Sequence, residues 1–166
     1  AKSISRETTF YRDTLDMDLL LGTLRYLSER VGAQLRRKER LARRAVLKLR
    51  YGDFQTISRH LTLPRPTDGD EDTFQAAVSL MEKALAQRRA PVRLIGVGAT
   101  ELVPRSTQLS LLDSQDDRSR DLALAIDALR GKYGFTSIQR GLTFSLSRYL
   151  QVEDGDYLLK TSALSR

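Results

Sequence analysis

The residues of this 166-residue chain that could do chemistry are its acids and its arginines, because it has one histidine, His60, and no cysteine. That supply excludes disulfides and thiolate zinc sites, and it leaves a Ser-His nucleophile without an evident orienting acid. Three carboxylate groups have the spacing to hold metal ions at a reacting phosphate: Asp16 with Asp18, Asp68-Gly69-Asp70-Glu71-Asp72, and Asp154 with Asp156. Each has a simpler role. The first two stand where helices begin, and acids there satisfy unpaired amides and the helix dipole. Asp68-x-Asp70-x-Asp72 imitates the opening of a calcium loop, but its sixth position is Thr73 instead of Gly and its twelfth is Ser79 instead of Glu. Asp154-Gly155-Asp156 reads as a turn, and Gly96-x-Gly98 lacks the third glycine and the following helix of a dinucleotide loop. His60 falls in a predicted strand and reads as a surface or ligand-side group.

The arginines point to a polyanion. Residues 1–107 carry 20 Lys and Arg against 13 Asp and Glu, a net of +7, whereas residues 108–166 carry 8 against 8. Within the first part, Arg36, Arg37, Lys38, Arg40, Arg43, Arg44, Lys48 and Arg50 crowd around the single acid Glu39. Such a cluster gains binding energy by releasing the counterions condensed on phosphates, with no need for a particular base sequence. A solvated helix end is the other reading of a basic run. The excess of Arg over Lys, 22 to 6, favours planar hydrogen bonding to phosphate oxygens.

The elements that must position these groups follow from periodicity. Ser3 to Phe10 is rich in Ser, Thr and β-branched residues and reads as a strand. Met17, Leu20, Leu21, Leu24, Leu27, Val31 and Leu35 recur at three- and four-residue steps, which predicts a helix to about Arg37. Residues 45–63 read as a hairpin around Gly52-Asp53, with Leu47, Leu49 and Tyr51 on one side and Val46, Lys48 and Arg50 on the other. Pro64-Arg65-Pro66-Thr67-Asp68-Gly69 is expected to break the sheet. A second helix buries Phe74, Ala77, Val78, Met81 and Leu85, and Val92 to Val97 forms the last strand. The order is β-α-β-β-α-β, an α+β fold for which a four-stranded sheet with two helices on one face is the economical packing; its other face stays free.

A domain boundary near residue 105 is marked by polar composition up to Asp117, which makes 1–105 the folded domain, 106–117 a linker and 118–166 a C-terminal extension. In the extension, Arg118 to Lys132 is predicted as a helix with Leu122, Ile126, Leu129 and Tyr133 on one face, stopped by Gly131 and Gly134. Tyr149, Leu150, Val152, Tyr157, Leu158 and Leu159 supply a further strand or helix. The longest aliphatic run, Leu19-Leu20-Leu21, is too short to cross a membrane. The chain begins at Ala1 and enters a strand directly, which suits a cut at a domain boundary.

Five segments in this order resemble a known family: Lys2-Ser3-Ile4-Ser5-Arg6-Glu7-Thr8-Thr9-Phe10, Arg50-Tyr51-Gly52-Asp53-Phe54-Gln55-Thr56-Ile57-Ser58-Arg59, Pro91-Val92-Arg93-Leu94-Ile95-Gly96-Val97, Gln108-Leu109-Ser110-Leu111-Leu112 and Lys132-Tyr133-Gly134-Phe135. Together they resemble the little-finger domain and clamp-binding tail of a bacterial Y-family translesion DNA polymerase, of the DNA polymerase IV family. The resemblance implies a cytoplasmic protein whose missing palm, fingers and thumb hold the catalytic acids and Mg2+. No cofactor is implied for residues 1–166, and no catalysis by them alone.

The composition of the first strand offers Lys2, Ser3, Ser5, Arg6 and Thr8 to DNA and the basic cluster adds Lys48 and Arg50, while the resemblance implies a duplex contact at Ser3, Ser5, Arg6, Thr56, Ser58, Arg59 and Arg93. Short hydroxyl side chains and backbone amides beside cations hold phosphates while remaining indifferent to bases. It also implies that Gln108, Leu109, Ser110, Leu111 and Leu112 dock on the sliding clamp, a glutamine amide meeting polar groups at a pocket mouth while the last two leucines fill an apolar cleft. Leu112 departs from the commoner aromatic ending. Two rival readings share the sequence: the same domain on a polymerase core that has lost its acids and acts as an adaptor, and a free-standing α+β RNA-binding module. The predicted strands lack the paired aromatics of common RNA binders.

Overall fold

The structure, a computed structural model, describes residues 2–105 and 114–160. Strand β1 (Ser3–Thr14) leads into helix α1 (Met17–Arg37), then strands β2 (Arg40–Tyr51) and β3 (Thr56–Thr67), helix α2 (Asp70–Gln87) and strand β4 (Val92–Pro104). The four strands form one antiparallel sheet in the order β1-β4-β2-β3. α1 lies over β1 and β4, and α2 over β2 and β3, both on the same face. The β-α-β-β-α-β order and the one-sided helical layer are those expected from the periodicity.

The core sits between that face and the helices. Along β2 the alternation sends Ala45, Leu47 and Leu49 inward to meet Ile95, Val97 and Ala99 of β4 and Leu20, Leu24, Leu27 and Val31 of α1. Asp16 caps α1 by accepting from the Asp18 and Leu19 amides at 3.0 and 3.3 Å. α2 closes over the other half with Phe74, Ala77, Leu80, Met81 and Ala84, its first turn carrying Asp70, Glu71 and Asp72. Val78 and Leu85 are only partly buried at its rim.

All four strands outrun their expected bounds, β1 running on to Thr14 and β2 beginning at Arg40. β3 continues through Pro64, Arg65 and Pro66 to Thr67, because it is an edge strand whose outward amides need no partner; a proline costs nothing there. β4 extends to Pro104, since Leu41, Ala42 and Arg44 of the long β2 pair with Val103, Leu102 and Thr100.

The extension consists of helix α3 (Ser114–Tyr133), a single turn at Phe135–Ser137, the short helix α4 (Gly141–Phe144), a turn at Ser145–Arg148, and the two-residue strands β5 (Val152–Glu153) and β6 (Asp156–Tyr157). It packs on the outer side of α1. Leu146 is fully buried against Gly22, whose missing Cβ would lie 2.8 Å from the Leu142 carbonyl. Tyr26 makes edge-on contacts with Phe135 and Tyr157, at 5.0 and 5.4 Å between ring centroids. Its hydroxyl donates to Asp156, which also takes Arg30 at 2.5 Å, and burial, then that carboxylate, raises the phenol pKa above its ordinary range. The Lys132-Tyr133-Gly134-Phe135 segment has a geometric reason. Gly134 has φ +93°, and a Cβ on it would lie 2.7 Å from the Cα of Gly155 in the β5–β6 turn.

Charges complete the seam. Glu29 is wholly enclosed and holds Arg25 of its own helix at 3.3 Å, Arg130 of α3 at 3.2 Å and Arg140 at 3.5 Å. Arg36 binds Asp127 of α3 with two bonds of 2.6 and 2.9 Å, Asp70 at 2.9 Å and the Asp68 carbonyl at 2.8 Å. Burial works against the charge of Arg36, but Asp127 and Asp70 hold its pKa above the ordinary range. The face of α3 turned to the domain is therefore polar. Of the residues expected on one apolar face of α3, Leu122 and Tyr133 are each 61% exposed and Leu129 43%, while Ile126 is partly buried in the cleft shared with Arg36 and Leu41. The helix is oriented by its ion pairs, Asp127 with Arg36 and Arg130 with Glu29.

Candidate nucleic-acid interface

The face of the sheet opposite the helices carries a consistent set of side chains, because residues directly across a ladder share a face. Four rows cross it. Ser3, Thr100, Arg44 and Thr62 form the first; Ser5, Gly98, Val46 and His60 the second; Glu7, Gly96, Lys48 and Ser58 the third; Thr9, Leu94, Arg50 and Thr56 the fourth. The middle of this face is a floor made by Gly96 and Gly98. A Cβ on Gly96 would lie 3.0 Å from that of Glu7, and one on Gly98 would lie 3.5 Å from those of Ser5 and Val46. Glycines inside a strand cost stability, and they mark places where another backbone comes close. Serines wall the floor on the β1 side and cations on the β2 side.

The cations are lightly held. Lys48 pairs with Glu7 at 2.8 Å and Arg44 with Glu101 at 2.8 Å, all four side chains partly open to solvent. Arg50 donates to the Thr56 hydroxyl at 2.9 Å. Exposed ion pairs contribute about 0–1 kcal/mol, so a phosphate oxygen can replace a carboxylate at little cost. Such a face can hold a polyanionic backbone by charge and hydroxyl contacts, and it offers little for reading bases.

The structure divides the residues expected to meet DNA. Ser3, Ser5, Lys48, Arg50, Thr56 and Ser58 stand together on the open face. Arg6, Thr8 and Arg59 do not, because each lies one residue out of phase and turns toward the helices. Arg6 donates to Gln34 of α1 at 3.2 Å, Thr8 is buried and donates to the Lys160 carbonyl at 3.2 Å, and Arg59 donates to Gln87 at the end of α2. Lys2 precedes the strand and is exposed. Arg93 sits at the end of the sheet, where the β4 register slips, and bonds Asp13 twice at 3.1 Å. Arg36 of the basic cluster turns inward to its ionic partners instead of to solvent. Arg44 of the basic cluster and Val46, read on the side of Lys48 and Arg50, share this face, and Thr62, Gly96, Gly98 and Thr100 join it without having been singled out for it; counting by twos from Lys48 and across the ladders would have found them. Gln108 to Leu112 lie outside the described residues.

Among the described residues the acids form no group that could hold a metal ion. Asp16 is committed to its cap and to the Tyr149 hydroxyl at 2.9 Å, and Asp156 to Tyr26 and Arg30. Asp68 is tied to Arg105 and Arg120 at 3.4 and 3.2 Å, and Asp70 to Arg36. With their oxygens taken by guanidinium and hydroxyl groups, they do not fit a divalent ion. Among the described residues no helix is long and apolar enough to cross a membrane.

Comparison with known proteins agrees with this architecture. Residues 1–111 match the model of the impB/mucB/samB family C-terminal domain. A DNA polymerase IV of Dehalococcoides mccartyi is 42% identical over 146 residues, covering 88% of this chain and 37% of that protein. DNA polymerase IV 1 of Mesorhizobium japonicum is 37% identical over 150 residues, covering 89% of this chain and 34% of that protein. The chain thus spans little more than a third of the length of these relatives. Among solved structures, a post-insertion binary complex of Dbh DNA polymerase overlays 61% of this chain on 29% of its own at 17% identity and TM-score 0.55, a likeness of fold. The chain belongs to the impB/mucB/samB family, and what it carries is that family's C-terminal domain, the little finger of the Y-family DNA polymerases.

Proposed function

We propose that residues 2–105 grip the backbone of duplex DNA on the open sheet face, that Gln108 to Leu112 tether the chain to a sliding clamp, and that the whole polypeptide adds nucleotides opposite lesions. The observation that carries the first statement is the glycine floor flanked by Ser3 and Ser5 on one side and Arg44, Lys48 and Arg50 on the other. A duplex strand seated there exchanges Glu7 and Glu101 for phosphates as partners of Lys48 and Arg44. The grip is then indifferent to sequence and sensitive to salt. The name DNA polymerase IV borne by the relatives, and the polar segment in which the pentapeptide stands, support the second and third statements.

Fluorescence titration with short duplexes of unrelated sequence tests the grip. Lys48→Ala and Arg50→Ala should each weaken every duplex alike and lower the salt slope by about one ion. Arg6→Ala and Thr8→Val, both on the helical side, should bind as the parent does. Loss of affinity in the second pair with none in the first would place the interface elsewhere. For the tether, Gln108→Ala with Leu111→Ala should abolish capture by immobilised purified clamp and leave duplex binding intact; surviving capture refutes it.

A further inference from the structure

The turn between β2 and β3 holds an aromatic ring out at the end of the open face, in a conformation that aromatic residues avoid. Phe54 has φ +67° and is 65% exposed. The hairpin is closed by the Phe54 amide on the Tyr51 carbonyl and the Tyr51 amide on the Gln55 carbonyl, both 2.9 Å, so Phe54 fills the left-handed position where hairpins of this length prefer glycine. A bulky residue there is strained, and strain of this kind collects at ligand sites. The turn does not relax it, because the loop is pinned. The Gly52 amide donates to the Pro91 carbonyl at 3.0 Å, and Arg88 binds Asp53 at 2.6 Å, reaches Gln55 and lies over the Tyr51 ring at 4.4 Å.

Among the described residues the ring's partner is Arg93. The Arg93 guanidinium lies over it, 4.2 Å from its centroid, and is held there by two bonds to Asp13. A cation braced against an exposed ring makes a flat, polarised slab. The register places it beyond the fourth row, where Tyr51 and Thr14 face Val92 and the cationic rail of β2 ends. A double helix lying on the glycine floor needs phosphate contacts, and a ring gives it none. An unpaired base next to the duplex end has a π-face to offer, and stacking on an aromatic is tolerant of base identity.

We propose that Phe54, backed by Arg93, is a stacking platform for the first unpaired base of a DNA strand leaving the duplex held on the open face. The proposal rests on the duplex-binding reading above and adds a ligand to it. The test compares a blunt duplex with the same duplex bearing a single-stranded overhang whose first base is a fluorescent purine analogue. The 166-residue chain should bind the overhang substrate about tenfold more tightly than the blunt one and quench the analogue. Phe54→Gly, which relieves the positive φ and should melt no lower than the parent, is expected to erase both the preference and the quenching while leaving blunt-duplex affinity unchanged; Phe54→Tyr should keep them. Equal affinity of the parent chain for the two substrates, or an equal loss on both in Phe54→Gly, overturns the platform and leaves the grip standing. Failure to bind blunt duplex at all removes the grip and the platform together.

Discussion

Glu29 has no exposure to solvent and three guanidinium groups around it, of which Arg25 and Arg130 are themselves enclosed while Arg140 is half exposed and Arg25 also binds Glu71. Removing Arg130 leaves Glu29 with Arg25 and Arg140 but breaks one enclosed hydrogen bond to a charged group, so Arg130→Met should lower unfolding free energy by about 1.5–3 kcal/mol in a urea titration. The helix cap gives a smaller effect with a pH signature. The Tyr149 hydroxyl, then the Leu19 and Asp18 amides, hold the Asp16 carboxyl below its ordinary pKa against slight desolvation. A lowered pKa means that the fold prefers the ionised form; the stabilisation is present above the ordinary carboxylate value and lost as pH falls through the lowered one. Asp16→Ala should therefore cost about 1 kcal/mol at neutral pH, and the gap to the parent should close in acid. Asp70 runs the other way. Burial raises its pKa against the pull of Arg36, so its contribution is full below the ordinary value and fades as pH rises through the raised one.

At the level of elements, the sequence was most legible where one period governed a long stretch. The seven apolar positions of α1 and the alternation of Leu47, Leu49 and Tyr51 gave their elements without ambiguity, since burial on one side leaves little freedom of register. β1 was harder. Its Ser and Thr residues suit either face, so nothing in composition showed that Ser5 looks out while Thr8 looks in, and a one-residue phase decided which of them belonged to the site. Helix α3 was legible as a helix, expected over Arg118 to Lys132 and found over Ser114–Tyr133, but its orientation was not. Its apolar stripe is real, but the partners that orient the helix are Arg36 and Glu29, distant in sequence and invisible to a local period. The extension has its own weak point where Gly134 and Gly155 touch backbone to backbone. Gly134→Ala adds both left-handed strain and a clash that no side chain can relieve. Hydrogen exchange should then show residues 117–160 losing protection while the sheet of residues 2–105 keeps it; uniform loss would mean that the two parts unfold as one.

For the molecule as a whole, the division of charge matters more than its total. The net +7 lies in residues 1–107, which present Arg44, Lys48 and Arg50 on the open face, while the neutral extension pairs several of its ions with the domain. Salt should weaken duplex binding steeply and leave the seam between extension and domain almost untouched, because screening reaches exposed charges far more than enclosed ones. The two borders of the sheet carry a further consequence. A bare β-surface with free backbone along its rims is a template on which more chains can grow into fibrils. Here one rim has Pro64 and Pro66, which bring no amide, and the other has its Thr9 amide taken by the Lys160 carbonyl. Pro64→Val with Pro66→Val, or loss of the tail from residue 156 onward, should raise light scattering on storage at concentrations the parent tolerates. The same chain that leaves a broad surface open for a ligand has closed off the lines along which it would otherwise recruit itself.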